Sequence, residues 1–273
     1  MLKKIIKIAW IGKHFGEEPP LIGNKNQGAG GIFFSGCNLR CVFCQNFQIS
    51  QQKLAEKEYS IEELTDIMLN LQKQKAINID LVTPTIWLPY IKEAIVLAKK
   101  RGLIIPIVWN SNAYEKVEAL KQMEGLVDIY LPDFKYGDDE IAFKYSGIKN
   151  YTATAISAIK EMLRQVGYLK TKNNIAYKGI ILRHLILPNN IQNSLQVLEQ
   201  TALIDKNIHI SLMNQYYPLY NAKDFKEIDQ CVSDEEFNKV CKHALNLGFN
   251  NGWIQEKDSS RIFIPDFTLK NPF

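Results

Sequence analysis

Short, largely apolar runs alternate with amphipathic helical repeats along most of this chain, and that alternation limits the fold more than any other feature. The runs 32–35, 77–82, 103–109, 127–131, 179–187 and 208–213 are rich in Ile, Leu and Val. Runs of this kind suit strands buried on both faces, as in a parallel sheet covered by helices. Helices fit the intervening stretches 60–74, about 89 to a stop at Gly102, 114–123, 152–166, 194–203 and 234–247. The signals are physical. Ser60 with Glu63 and Ser233 with Glu236 have the spacing of capping boxes, and Ile61, Leu64, Ile67, Met68 and Leu71 fall on one helical face.

Six strand–helix units with right-handed crossovers make either an open doubly wound sheet or a partial barrel. The pattern alone allows both. Residues 1–30 read as an irregular lead-in, because Pro19 and Pro20 break a helix and Gly28, Gly30 and Gly31 loosen the chain before the first strand. Residues 31–273 read as a single α/β domain, with 253–255 a last short apolar segment. In parallel α/β folds the chemistry gathers at the C-terminal ends of strands. Those ends carry Thr83-Pro84-Thr85, Asn110-Ser111-Asn112, Asp133-Phe134-Lys135, Arg183-His184 and Asn214-Gln215-Tyr216.

The first strand runs into Gly36-Cys37-Asn38-Leu39-Arg40-Cys41-Val42-Phe43-Cys44, a C-x3-C-x2-C triplet. Three thiolates from one short loop are a metal-ligand pattern. They can hold three irons of a cubane cluster and leave the fourth open for chemistry. A structural zinc knot or an electron-transfer cluster normally takes a fourth Cys or His nearby, and none follows before His184. Cys241 falls with Phe237, Val240, Ala244 and Leu245 on an apolar helix face, Cys231 reads as an incidental loop thiol, and His209 as a packed strand residue.

Charge and hydropathy exclude other classes. A net charge of +4 over 273 residues, with scattered lysines, does not suggest a nucleic-acid or membrane-surface binder. No stretch approaches the roughly 20 apolar residues of a membrane span. Lys7 interrupts the signal-like start, and no small-residue cleavage site follows. The expectation is a cytoplasmic protein, where clustered thiols stay reduced and serve metal binding or catalysis.

The triplet, with aromatic Phe43 before its last cysteine, resembles the signature of the radical S-adenosylmethionine (SAM) superfamily. More of the chain is similar to the activating enzymes of glycyl radical enzymes, above all the PflX-like branch, homologues of pyruvate formate-lyase activating enzyme. That likeness is carried by residues 14–21, 33–46, 130–136, 158–162 and 181–185. It implies a partial (βα)6 barrel and a [4Fe-4S] cluster on Cys37, Cys41 and Cys44. It implies an oxidoreductase that reductively cleaves SAM to a 5′-deoxyadenosyl radical. The implied partners are a glycyl radical enzyme and a flavodoxin- or ferredoxin-type reductant. Alternatives are the same chemistry on a small molecule or another protein residue, and a non-catalytic iron–sulfur or zinc protein.

The resemblance also implies roles for SAM-side residues. Phe43, Thr83, Thr85, Asn110, Ser111, Asp133, Lys135 and Arg183 are the candidates. Asp133 and Lys135, two apart on an extended segment, face one side. Arg183 is read either as a partner for the SAM carboxylate or as a buried structural ion pair. Three departures stand out. Thr83-Pro84-Thr85 replaces the usual Gly-Gly-Glu, and Asn110 an acidic residue often found there. No cysteine-bearing insert follows the triplet. Longer members of the branch carry an upstream cysteine-rich segment, and this sequence starts beyond it. His14, Glu17 and Glu18 are a marker of that branch, read here as loop-ordering rather than metal-binding.

Overall fold

A computed structural model describes residues 4–255 and 264–273. In chain order the elements are β1 (Ile6–His14), α1 (Pro19–Ile22), β2 (Ala29–Phe34), α2 (Phe47–Ser50), β3 (Lys57–Tyr59), α3 (Ile61–Lys73), β4 (Ile79–Val82) and α4 (Leu88–Lys100). Then follow β5 (Ile107–Ser111), α5 (Val117–Lys121), β6 (Ile129–Pro132), α6 (Asp139–Ser146), α7 (Tyr151–Val166), β7 (Lys170–Lys172) and β8 (Ile175–Leu185). The chain continues through α8 (Ile191–Ile204), β9 (His209–Met213), α9 (Asp234–Leu247) and β10 (Gly252–Ile254).

The strands form one sheet in the order β10-β9-β8-β6-β5-β4-β2-β1-β3, with β7 a hairpin on β8. From β2 to β10 every neighbouring pair is parallel, while β1 runs antiparallel to both β2 and β3. Within this parallel part, β2 to β10, the order never reverses. A doubly wound sheet needs a reversal, so the alternative left open by the sequence pattern is closed. With right-handed crossovers, an unreversed order puts the helices on one face, and the other face is buried by curling into a barrel. Among the described residues the path ends at β10 and β3 without joining, so the barrel is partial.

Two separate apolar clusters mark the two faces. Outward residues such as Leu81, Trp109, Tyr130 and Leu182 pack with Leu64, Ile91 and Ile159 of the helices. Inward residues Val108, Ile129, Leu131 and Ile181 pack instead on Leu21 of α1. The Pro19-Pro20-Leu21 turn therefore plugs the floor of the lumen. Asn78 fixes it there, donating from Nδ2 to Leu21 O at 2.8 Å.

Several expectations need correction. The lead-in is not irregular: Ile6 and Ile8 are buried on alternate positions of β1, and Lys7 between them pairs with Glu56 at 2.6 Å. The prolines occupy the first turn of α1, where a missing N–H costs nothing. Gly30 and Gly31 are not a loose entry but part of buried β2, with Gly28 just before it; a Cβ on Gly30 would lie 2.7 Å from Asn78 O. β8 starts earlier than expected, because Asn173 and Asn174 both take positive φ (53° and 62°) and turn a two-residue hairpin from β7. The helix placed at 114–123 shortens to α5, and α6, capped by Asp138 Oδ1 on Glu140 N, was not foreseen. Both capping boxes form as expected.

Leu21→Ala would open a cavity under the lumen. A loss of about 2–5 kcal/mol in urea unfolding is expected, typical of a fully buried leucine.

Candidate active site

The cysteine loop leaves β2 at the C-terminal end of the barrel, and every turn of it is tied down. Gly36 N donates to Ile49 O at 3.0 Å, Val42 N to Tyr145 O at 2.8 Å, and Asn38 Nδ2 to Tyr114 O at 2.8 Å. The sulfurs themselves take weak contacts: Leu39 N and Asn112 Nδ2 to Cys37 Sγ at 3.4 and 3.5 Å, Ser146 Oγ to Cys41 Sγ at 3.0 Å, and Cys44 Sγ with Ser50 Oγ at 3.2 Å. Phe43 does not point at the solvent. It packs edge-on against Tyr136, Tyr145 and Tyr216 and lines the cavity beneath the loop.

All three thiols are free and line one cavity of about 490 Å³. Burial, then the neighbouring Cys41, pushes the Cys37 thiol up to about 11 and the Cys44 thiol up to about 12. Among the described residues no three His, Cys, Asp or Glu side chains converge on a single-ion site. A cubane takes one thiolate per iron and needs no such convergence. Three soft sulfur donors on one cavity wall fit an iron–sulfur cluster. The other two cysteines lie elsewhere, Cys231 exposed and Cys241 buried in α9. His184 is fully used inside the protein. Its Nδ1 donates to Phe134 O at 2.8 Å, so Nε2 accepts from Ser194 Oγ at 2.9 Å.

Opposite the cysteines the lumen is charged. Arg183 on β8 donates from Nε to Asp133 Oδ1 at 2.6 Å, from Nη1 to Glu17 Oε2 at 2.8 Å and from Nη2 to Asn110 Oδ1 at 2.5 Å. Each of its three nitrogens is thus committed within the protein. Lys135 Nζ meets Asp133 Oδ2 at 2.7 Å, so the two residues do share one side. Burial alone would raise Asp133, yet Arg183 and Lys135 outweigh it and hold the carboxyl below its ordinary value. Tyr151 locks this segment: its hydroxyl accepts from Lys135 N at 2.9 Å and lies 2.9 and 3.0 Å from the carbonyls of Asn112 and Asp133.

The remaining candidates separate. Thr83 lines the cavity in a left-handed conformation (φ 60°), a rare state for a β-branched residue. Thr85 turns away and bonds Glu115 at 3.0 Å. Ser111 lines the cavity while donating to the same Glu115 at 2.8 Å. Glu115 is buried and also holds the Trp109 indole; burial raises its carboxyl against those three donors. Asp80, Gln45 and Gln255, not singled out for the site, also meet there, together with Gln215. Asp80 on β4 reaches Asn110 at 3.5 Å, and Gln45, Gln215 and Gln255 form a side-chain chain across the mouth at 3.2 and 2.7 Å. An acid inside the apolar Ile79–Val82 run was the one local sign of Asp80.

The radical SAM superfamily model matches residues 32–178, more than half of the chain and inclusive of the cysteine loop. The chain belongs to the radical SAM superfamily. A [4Fe-4S] cluster and SAM are the cofactors of this family. Among curated proteins, the uncharacterized protein MJ0674 of Methanocaldococcus jannaschii is 32% identical over 244 residues, 85% of this chain. The chain spans 64% of that relative's length. The fold is shared with Streptococcus suis SuiB bound to S-adenosylmethionine, at TM-score 0.57 and 12% identity, covering 81% of this chain and 48% of SuiB. SuiB bound to its precursor peptide SuiA aligns at TM-score 0.58 and 10% identity, covering 86% of this chain and 50% of that one. The hydrogenase maturase HydG of Carboxydothermus hydrogenoformans aligns at TM-score 0.56 and 17% identity, covering 80% and 50%. Among the described residues no helix is long and apolar enough to cross a membrane.

His184 generates a pH prediction. Burial pulls its imidazole from 6.5 to about 4. Between those values the unfolded chain binds more protons than the folded one, so stability falls as pH drops through that window. Urea unfolding should lose about 2 kcal/mol between pH 7 and 5. His184→Gln should flatten the profile there.

Proposed function

We propose that Cys37, Cys41 and Cys44 hold the [4Fe-4S] cluster and that this enzyme abstracts a hydrogen atom from a backbone glycine of a partner enzyme, as glycyl radical activating enzymes do. The observation that carries the radical part is the convergence of three free thiols, Lys135 and Asp133 on one cavity at the C-terminal ends of the strands. When bound, the cofactors supply one chemistry: reduced cluster and SAM give methionine and a 5′-deoxyadenosyl radical.

The chain's own residues hold and shield. Lys135, the cation at the cysteine end of the cavity, is suited to a cosubstrate carboxylate, and Asp133 keeps it in place. Thr83, Asn110 and Ser111 line the wall between them, and Phe43 closes the apolar side. Thr85 acts at one remove, through the Glu115 network that orients Ser111. Arg183 fixes the carboxylates rather than meeting the cosubstrate itself. A protein partner is supported by the likeness of residues 14–21, 33–46 and 130–136 to activating enzymes, and a flavodoxin- or ferredoxin-type carrier is the expected electron donor. A small-molecule substrate is the second reading, favoured by one measurement. The cavity, about 490 Å³, falls in the range of small-ligand sites.

Anaerobic reconstitution followed by dithionite and SAM should release 5′-deoxyadenosine. A cluster-loaded sample that releases none would refute the radical assignment. Changing any one of the three cysteines to Ala should abolish the iron–thiolate absorption near about 400 nm. With a candidate partner present, a glycyl-radical EPR doublet should appear; its absence with deoxyadenosine still released moves the substrate to the small-molecule class.

A further inference from the structure

The deep part of the lumen holds more carboxyl groups than cations. Four carboxyl groups, Glu17, Glu18, Asp80 and Asp133, share it with two cations, Arg183 and Lys135. The cations are already paired: Arg183 donates to Asp133, Glu17 and Asn110, and Lys135 to Asp133. His14 Nε2 lies 3.2 Å from Glu17 Oε1 and donates to it.

Three buried polar atoms are left over. Glu18 Oε2, His14 Nδ1 and Asp80 Oδ1 are buried and have no hydrogen-bond partner among the described residues. Glu18 and His14 are each 7% exposed and both line the cavity; Asp80, 1% exposed, lies behind Asn110. Ser211 neighbours the Glu18 carboxyl without satisfying Oε2. A buried carboxylate oxygen without a donor costs about 1–3 kcal/mol, and Glu18 Oε2, facing the cavity, is open to a donor that enters it. Burial raises the Glu18 and Asp80 carboxyls, with Arg183 opposing, as befits acids that lack a counter-cation. No three ligating side chains converge there, so a bare metal ion does not fit among the described residues. Beside these polar atoms the wall is aromatic: the His14 ring packs on Phe33 and Phe273 at 5.7 and 4.5 Å.

We propose that this pocket, beneath the SAM side and walled by His14, Glu18, Phe33 and Phe273, binds the primary alkylammonium group of the substrate. The ammonium supplies three N–H donors and a positive charge to acceptors that lack both, and its alkyl stem runs along the rings. Such a group comes either from a lysine side chain of a partner peptide or from a free amine. The inference rests on the radical SAM reading for the word substrate, while the binding itself does not.

Calorimetry on the reconstituted, SAM-loaded and unreduced protein tests it. n-Pentylamine should bind saturably, and 1-pentanol, its neutral analogue, about tenfold or more weakly. Equal affinity for the two, or no binding by n-pentylamine or by N-acetyl-lysine amide, overturns the proposal without any variant. Glu18→Gln and His14→Leu should each weaken n-pentylamine by about tenfold, and unchanged affinity in both folded variants also overturns it. N-acetyl-lysine amide binding more tightly than n-pentylamine supports the peptide source, and the reverse order the free amine. Amine binding by a protein that releases no 5′-deoxyadenosine leaves the pocket standing and removes the radical assignment; deoxyadenosine without amine binding does the opposite.

Discussion

A single buried guanidinium organises the interior of this barrel. Arg183 joins Asn110 on β5, Asp133 after β6 and Glu17 from the segment before α1, while its own backbone carbonyl accepts Phe134 N at 2.8 Å. A buried charge is tolerable only when paired and hydrogen-bonded. Here the pairing is complete, and each partner is thereby fixed in place. Asp133 can hold Lys135 toward the cysteines only because Arg183 holds Asp133. The same cation draws Glu17 inward, and with it the turn that places Leu21 on the lumen floor. Floor, wall and mouth are therefore one electrostatic assembly.

The cysteine loop depends on a second, outer support. Ser146, at the end of α6, contacts Cys41 Sγ and shares a 2.6 Å hydrogen bond with Tyr136 Oη. Tyr145 gives its carbonyl to Val42 N and its ring to Phe43. A short helix of ordinary composition thus braces a loop about a hundred residues earlier in sequence. Precise ligand placement in metal sites comes from such neighbours as much as from the ligands themselves.

Local chemistry was legible and long-range chemistry was not. The capping boxes at Ser60 and Ser233, the six parallel strands and the cysteine triplet are all written in residues close together in sequence, and the structure shows the elements where those residues lie. Strand order is different: hydrophobic period says that a strand is buried, not which strand lies beside it. The choice of a barrel over a doubly wound sheet had to come from resemblance. Thr85 follows a strand, a position that points to the mouth, but the tight turn after Thr83 rotates it toward Glu115. Glu17, Glu18 and Asp80 carry no local mark of meeting in one lumen. β1 was masked because Lys7 sits between Ile6 and Ile8, and alternation over so few residues imitates a broken leader.

The unreversed strand order has a consequence for how the chain is made. Each unit docks beside one already emerged from the ribosome, so the sheet can grow from one edge as synthesis proceeds. The charges cannot keep pace. Glu17 and Arg183 are separated by 166 residues, and until β8 docks the early carboxylates have no guanidinium to meet. A nascent half-barrel therefore keeps its centre hydrated and its acids in water. The arrival of β8 gives the early acids their guanidinium, and β9, β10 and Phe273, which line the same cavity, complete the chamber only after it.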